Sequence, residues 1–163
     1  SASPLAEWSL RMETLTDLKP ETVDGLKKLV RMNRDACEGF AAAADKVDNA
    51  SLASAMREAS DERARFASEM GSVLSINDAE ILESGSALGD FHRFWINVRG
   101  AISGGDEQAM LSEALRGESA LVDKYEEVLV EITGNPLNPV LHRHVAAVHT
   151  TRDNLERLRE QYN

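Results

Sequence analysis

A chain of 163 residues with 42% apolar and 28% charged side chains fits one globular domain that can bury a core without disulfide staples. The formal net charge of −10 disfavours nucleic acid and anionic membranes as partners, and no stretch reaches the length of a membrane span. Aromatic content is only 5%, Ala and Leu are plentiful and β-branched runs are absent, a balance that favours helices over sheet.

The first expected helix covers about 4–18, with Leu5, Trp8, Met12 and Leu15 at helical spacing, and Pro20 breaks it. A long helix follows over about 22–47, with Leu26, Val30, Cys37, Phe40 or Ala41, and Ala44 on one face. Asp48, Asn49 and Ser51 form a short turn and offer caps for a third helix, about 52–74, whose inward residues are Leu52, Met56, Ala59, Phe66, Met70 and Val73. Residues 75–85 read as the loosest linker. A shorter helix at about 86–102 carries Leu88, Phe91, Trp95, Val98 and Ile102.

Ser103, Gly104, Gly105 and Asp106 stop that helix and start the next, about 106–133. Gly134 and Pro136 end it. Asn138 and Pro139 are expected to open the last helix, which reaches about residue 160. The long helices form two tight-turned pairs, each an antiparallel hairpin, with about thirty residues between the pairs. The expected fold is therefore all-α: a four-helix bundle of ferritin-like topology over residues 20–163, two hairpins joined by a long crossover containing a short helix, preceded by an N-terminal amphipathic helix over 1–19.

The pattern Asp35, Gly39, Phe40, Ala43, Ala44 and Asp45 lies on the first bundle helix, and Glu62-Arg63-x-x-Phe66-Ala67-x-Glu69-Met70 on the second. Ser86, Gly89, His92, Arg93 and Trp95 mark the crossover, followed by Ser103-Gly104-Gly105-Asp106 and by Gly117, Glu118 and Tyr125. In their order and spacing, over about residues 22–160, these resemble a bacterial family of unknown function within the ferritin-like superfamily. The resemblance implies a four-helix bundle, often dimeric, with no established activity.

Glu118 is the residue that bears most on function. Leu111, Leu115, Val122, Tyr125, Leu129 and Ile132 form an apolar seam at alternating steps of four and three, and Glu118 fills the missing step. A carboxylate on a buried seam needs a metal, an arginine, a proton or a water beside it. Diiron bundles use one Glu from each of two helices and a Glu-x-x-His from each of the other two. Here Glu62-x-x-Arg65 has Arg where His is needed, and the last helix has no Glu-x-x-His. Glu38 and Asp45 fall about 80–100° off the stripe, and Asn33 is the polar residue closest to that seam. If a metal binds, Glu62 and Glu118 are its candidates, with iron or manganese the alternative cofactors; otherwise no cofactor is expected.

His142, His144 and His149 share one helix. Folding the last hairpin about Pro136 sets Glu118 level with residue ~154 and His144 level with residue ~128, some 15 Å from Glu118. His142 and His149 fall on a flank, and His144 faces nearer the seam but at the wrong height for Glu118; the cluster is accordingly read as surface, and Cys37 as a small core residue. Near Glu118 the same construction places Arg152, while Glu62 and Arg63 straddle the stripe of the second bundle helix. The expected buried polar cluster is Glu62, Arg63, Glu118 and Arg152: two carboxylates with two arginines, since guanidinium pairs carboxylates through two hydrogen bonds.

No nucleophile triad, phosphate loop or zinc spacing is present, so no catalytic residue is assigned. The leading expectation is a non-catalytic bundle with a degenerate metal site that acts through association, as a homodimer to which the apolar stripe of residues 5–15 contributes; the other reading of that stripe is that it folds back on its own chain. The alternative is a diiron-type oxidase or iron-handling protein. The lone Cys37 rules out an internal disulfide and, with no signal peptide visible, fits a cytoplasmic location, with a removed leader left open because the chain starts at Ser1.

Overall fold

The structure is a computed structural model that describes residues 15–79 and 89–162. Five helices account for most of them: α1 (Pro20–Lys46), α2 (Ala50–Ile76), α3 (Gly89–Ser103), α4 (Glu107–Glu131) and α5 (Leu137–Glu160). No strand occurs among the described residues. Leu5, Trp8, Met12 and Leu88, singled out above, lie outside them. No described helix is long and apolar enough to cross a membrane.

Local chemistry explains the boundaries. Pro20 takes the first position of α1, where its missing N–H costs nothing, and Glu21 follows in the first turn. Asn49 caps α2 by accepting the Leu52 N–H at 3.0 Å, and Asp106 caps α4 by accepting the Ala109 N–H at 2.9 Å. The stops after α3 and α4 use Gly105 and Gly134 in the left-handed region, at φ 77° and 82°. The last helix starts earlier than Asn138 and Pro139 suggested: Asn135 accepts the Leu137 N–H at 2.9 Å, so Pro139 sits inside the first turn, where a proline is tolerated.

The four long helices close a ring, α1 on α2, α2 on α5, α5 on α4 and α4 on α1, and α3 packs on α1 and α4. Cross-helix bonds set the directions. Cys37 meets Ser60, and Ser119 meets Arg152, so each hairpin is antiparallel. Asn33 meets Tyr125 while Gly25 lies against Val128, and Glu62 meets Thr151 while Glu69 meets Arg143. Every neighbouring pair thus runs antiparallel, and α2 and α4 run the same way on opposite corners.

The core is Leu, Met, Ala, Val and a few aromatics from all five helices. Trp95 of α3 enters it over the bare backbones of Gly39 and Gly117, with Phe40 at 4.9 Å and Phe91 at 6.1 Å between ring centres. Leu15 and Leu18 pack against the same core. Asn77, just past α2, holds them there: its amide nitrogen donates to the Leu15 carbonyl and its amide oxygen accepts the Leu18 N–H at 3.2 Å.

Candidate functional site

The centre of the bundle is polar. Asn33 of α1, Arg63 of α2, Glu118 of α4 and His144 of α5 are all wholly buried, and so is Tyr125 of α4. They form two hydrogen-bonded groups, one above the other along the bundle.

The first group is an ion pair. Arg63 donates through Nη2 to Glu118 Oε2, and through Nε to Glu118 Oε1 at 3.3 Å. This is the bidentate geometry that suits guanidinium and carboxylate. The third side of the guanidinium, Nη1, donates to Glu62 Oε1 at 2.6 Å, and Thr151 donates to the same oxygen at 3.2 Å. Burial works against the Arg63 charge, yet Glu118 and Glu62 outweigh it and hold the guanidinium above its ordinary value. Burial pushes the Glu118 carboxyl up, with the Arg63 charge opposing. Two parallel N–H···O bonds favour the charged pair.

Arg152 is close enough for its charge to favour the Glu118 carboxylate, but it makes no hydrogen bond within this group. It is half-buried and donates to Ser119 Oγ at 3.3 Å. Positions 151 and 152 differ by about 100° around the helix, and it is Thr151 that faces α2. Glu62 is half-buried, with one oxygen tied to Arg63.

The second group is a relay. Asn33 Nδ2 donates to the Tyr125 hydroxyl at 2.9 Å and to the Leu29 carbonyl at 2.8 Å. The Tyr125 hydroxyl lies 3.1 Å from His144 Nδ1, and His144 Nε2 lies 3.2 Å from Glu69 Oε2. Because Asn33 already donates to the phenol oxygen, the phenol donates to Nδ1, and the imidazole carries its proton on Nε2, towards Glu69. At the surface Arg143 Nη2 pairs with Glu69 at 2.7 Å. Phe66 stacks on His144 at 3.9 Å, and the Arg63 guanidinium lies 5.7 Å from the same ring. The two groups therefore meet at Phe66.

Burial pushes His144 below its ordinary value; Glu69 opposes, and Arg143 and Arg63 push further down. The Arg143 hydrogen bond lowers the Glu69 carboxyl. Burial raises the Tyr125 phenol well above its usual range. One polar atom of the relay, Asn33 Oδ1, is buried with no partner among the described residues.

His144 overturns the reading of the histidines as a surface cluster. His142 is exposed and His149 half-buried, but His144 is at 0% exposure. Its level along the bundle was legible: a position near residue ~128 agrees with its bond to Tyr125. What the wheel missed is that height away from Glu118 is not exposure. Cys37 is half-buried rather than core, with Sγ 3.4 Å from Ser60 Oγ. A further buried carboxyl, Asp35, lies between Arg31 at 3.7 Å and His92 at 3.6 Å; burial raises it, with Arg31 and His92 opposing.

The donor set does not suit a metal pair. Both oxygens of Glu118 and one of Glu62 are spent on a guanidinium whose charge repels a cation. No three His, Cys, Asp or Glu side chains among the described residues are placed to share one ion.

These features define an all-helical protein whose centre holds a buried arginine–glutamate pair and a histidine relay. The chain belongs to the family described as a domain of unknown function (DUF2383), which matches residues 21–131. That span covers α1 to α4 and includes Asn33, Glu62, Arg63, Glu69, Glu118 and Tyr125; Arg143, His144 and Thr151 come from α5, outside it. No curated protein and no solved structure matches the chain.

Proposed function

We propose that this chain is a ferritin-like bundle in which an ion pair takes the place of a metal centre, and that it works by association rather than catalysis. The observation that carries this reading is the wholly buried Arg63, bonded to both Glu118 and Glu62. These are the two carboxylates that a bundle-centred metal would need. The antiparallel neighbours, the parallel α2 and α4, and a connection carrying α3 across the α1–α4 face support the ferritin-like topology. A partner surface is the second half of the proposal. The apolar residues Leu5, Trp8 and Met12 precede Leu15, which is anchored at the α2 end of the bundle. The apolar stripe that the sequence carries ahead of this anchor is the surface we assign to a second copy, and a symmetric homodimer is the closed assembly we favour.

Elemental analysis tests the first half. Full-length protein from a culture supplemented with iron and manganese should carry far less than one metal ion per chain. Stoichiometric iron or manganese, lost in Glu118→Ala, overturns the reading in favour of a diiron-type protein. Light scattering tests the second half, on the full chain and on one beginning at Pro20. The full chain should be a dimer and the shortened one a monomer. Two monomers defeat the dimer, and two dimers show that another surface holds the pair.

A further inference from the structure

We infer that the Tyr125–His144–Glu69 relay is a proton-operated latch on the seam between α2 and α5. Of the neighbouring pairs in the ring, α2 and α5 pack least closely. An open groove of about 410 Å³ runs between them, past Ala55, Ala59, Glu62, Ala147 and Thr151. Among the described residues the seam is bridged by Glu69 to Arg143 and His144, by Glu62 to Thr151, and by the stack of Phe66 on His144. His144 carries its bridge on to the far helices, through Tyr125 of α4 to Asn33 of α1.

The relay accepts only a neutral imidazole. Nε2 already holds a hydrogen for Glu69, so an added proton goes to Nδ1. There it faces the Tyr125 hydroxyl, which is donating to that nitrogen. The phenol would have to turn its hydrogen away, and its other neighbour, Asn33 Nδ2, is also a donor. Swinging the Asn33 amide to present Oδ1 would break the Nδ2 bond to Leu29. Each route leaves a buried polar group unmatched.

The charges facing the imidazole are mixed. Glu69 of α2 favours the proton; Arg143 of α5 and Arg63 of α2 oppose it. From α4 it faces the neutral Tyr125, and α1 contributes only the uncharged Asn33 behind that phenol. Burial and the two arginines prevail, so the folded His144 lies below its ordinary 6.5. The opened seam therefore binds the proton more tightly than the closed one. The latch is closed above about pH 6.5 and loosens as pH falls towards the folded value.

The experiment is nitrogen-15 NMR of the histidines in the full chain, with amide hydrogen exchange measured in parallel from about pH 7.5 to about pH 5 and corrected for intrinsic rates. At neutral pH His144 should show the Nε2–H tautomer, and it should titrate below the ordinary 6.5. Amides of α2 and α5 beside the groove should lose protection at least tenfold over the same interval, while those of the α1–α2 interface hold. His144→Gln, which keeps a donor for Glu69 but cannot titrate, should abolish the step; Glu69→Gln should leave it in place. The latch is overturned if His144 titrates at or above the ordinary 6.5, or if its titration brings no local loss of protection. It is equally overturned if the wild type and His144→Gln lose protection alike.

Discussion

Gly39 presents its bare Cα to the six-membered ring of Trp95, so closely that a Cβ there would overlap the ring. Gly117 does the same from α4, where an added Cβ would stand 2.9 Å from Trp95 Cζ2. The indole cannot retreat, because Phe40 and Phe91 flank it and it is 2% exposed. Gly39→Ala should therefore destabilise by about 1–3 kcal/mol through overpacking. Gly100→Ala, on α3 with Trp95 but with nothing within 4 Å, should be neutral or slightly stabilising. Trp95→Ala should cost about 3–5 kcal/mol. Urea midpoints at constant slope check all three; equal effects at positions 39 and 100 would show that α3 does not sit on α1 as described.

The Arg63–Glu118 pair predicts non-additive energetics. Removing one partner strands a buried charge, so Glu118→Leu should cost about 3–5 kcal/mol. The double change Arg63→Met with Glu118→Leu should recover most of that loss, because an apolar pair of similar volume avoids the desolvation of both ions. Arg152→Met should move the midpoint by less than about 1 kcal/mol, since its bond is to the half-buried Ser119. A double variant as weak as the sum of its singles would sink the idea of a self-contained pair.

Tyr125 makes the fold sensitive to alkali. Its folded phenol lies well above the ordinary 10, through burial. A group raised in the folded state contributes stability that is complete below its unfolded value and is lost as pH rises through the folded one. Ultraviolet titration should show no tyrosinate near pH 10 in the folded chain, as Tyr162 is itself pushed up to about 12 by burial and by Glu107. Unfolded chain should ionise both near 10. Tyr125→Phe should cost about 1–3 kcal/mol at neutral pH, because Asn33 and His144 each lose a partner. Its stability should then vary less steeply with alkali than the wild type's.

Asn77 is the anchor of the segment before α1. Asn77→Ala removes the bonds to Leu15 and Leu18, and should cost about 1–2 kcal/mol. The Leu18 amide should exchange faster while amides in the middle of α2 do not change. If dimerisation depends on the N-terminal segment, light scattering should show this variant weakened as well.

Most of the helical layout was legible because it is local. The 3.6-residue period of Leu26–Leu29–Val30 or Leu111–Leu115–Val122, the caps at Asn49 and Asp106, and the glycine stops at 105 and 134 each lie within a turn or two of the residues they control. The seam position of Glu118 came from the same arithmetic. The helical wheel carried Glu62, Arg63 and Glu118 to the centre, yet it left two arginines competing for one carboxylate.

Tertiary packing made the remaining choices. A wheel assigns each side chain an angle on its own helix, but not the rotation of that helix against its neighbours. A shift of one position turns the contact face by about 100°, which is the difference between Thr151 and Arg152 at Glu62, and between an exposed Arg143 and a buried His144. Asn33, Tyr125, His144 and Glu69 are separated by up to 111 residues, as 144 − 33, and nothing in their spacing links them. Sequence determined which residues could share a helix face; only the docking of four faces decided that Arg63 would neutralise Glu118 and that His144 would join Glu69 to Tyr125, because those bonds form between helices that no local rule connects.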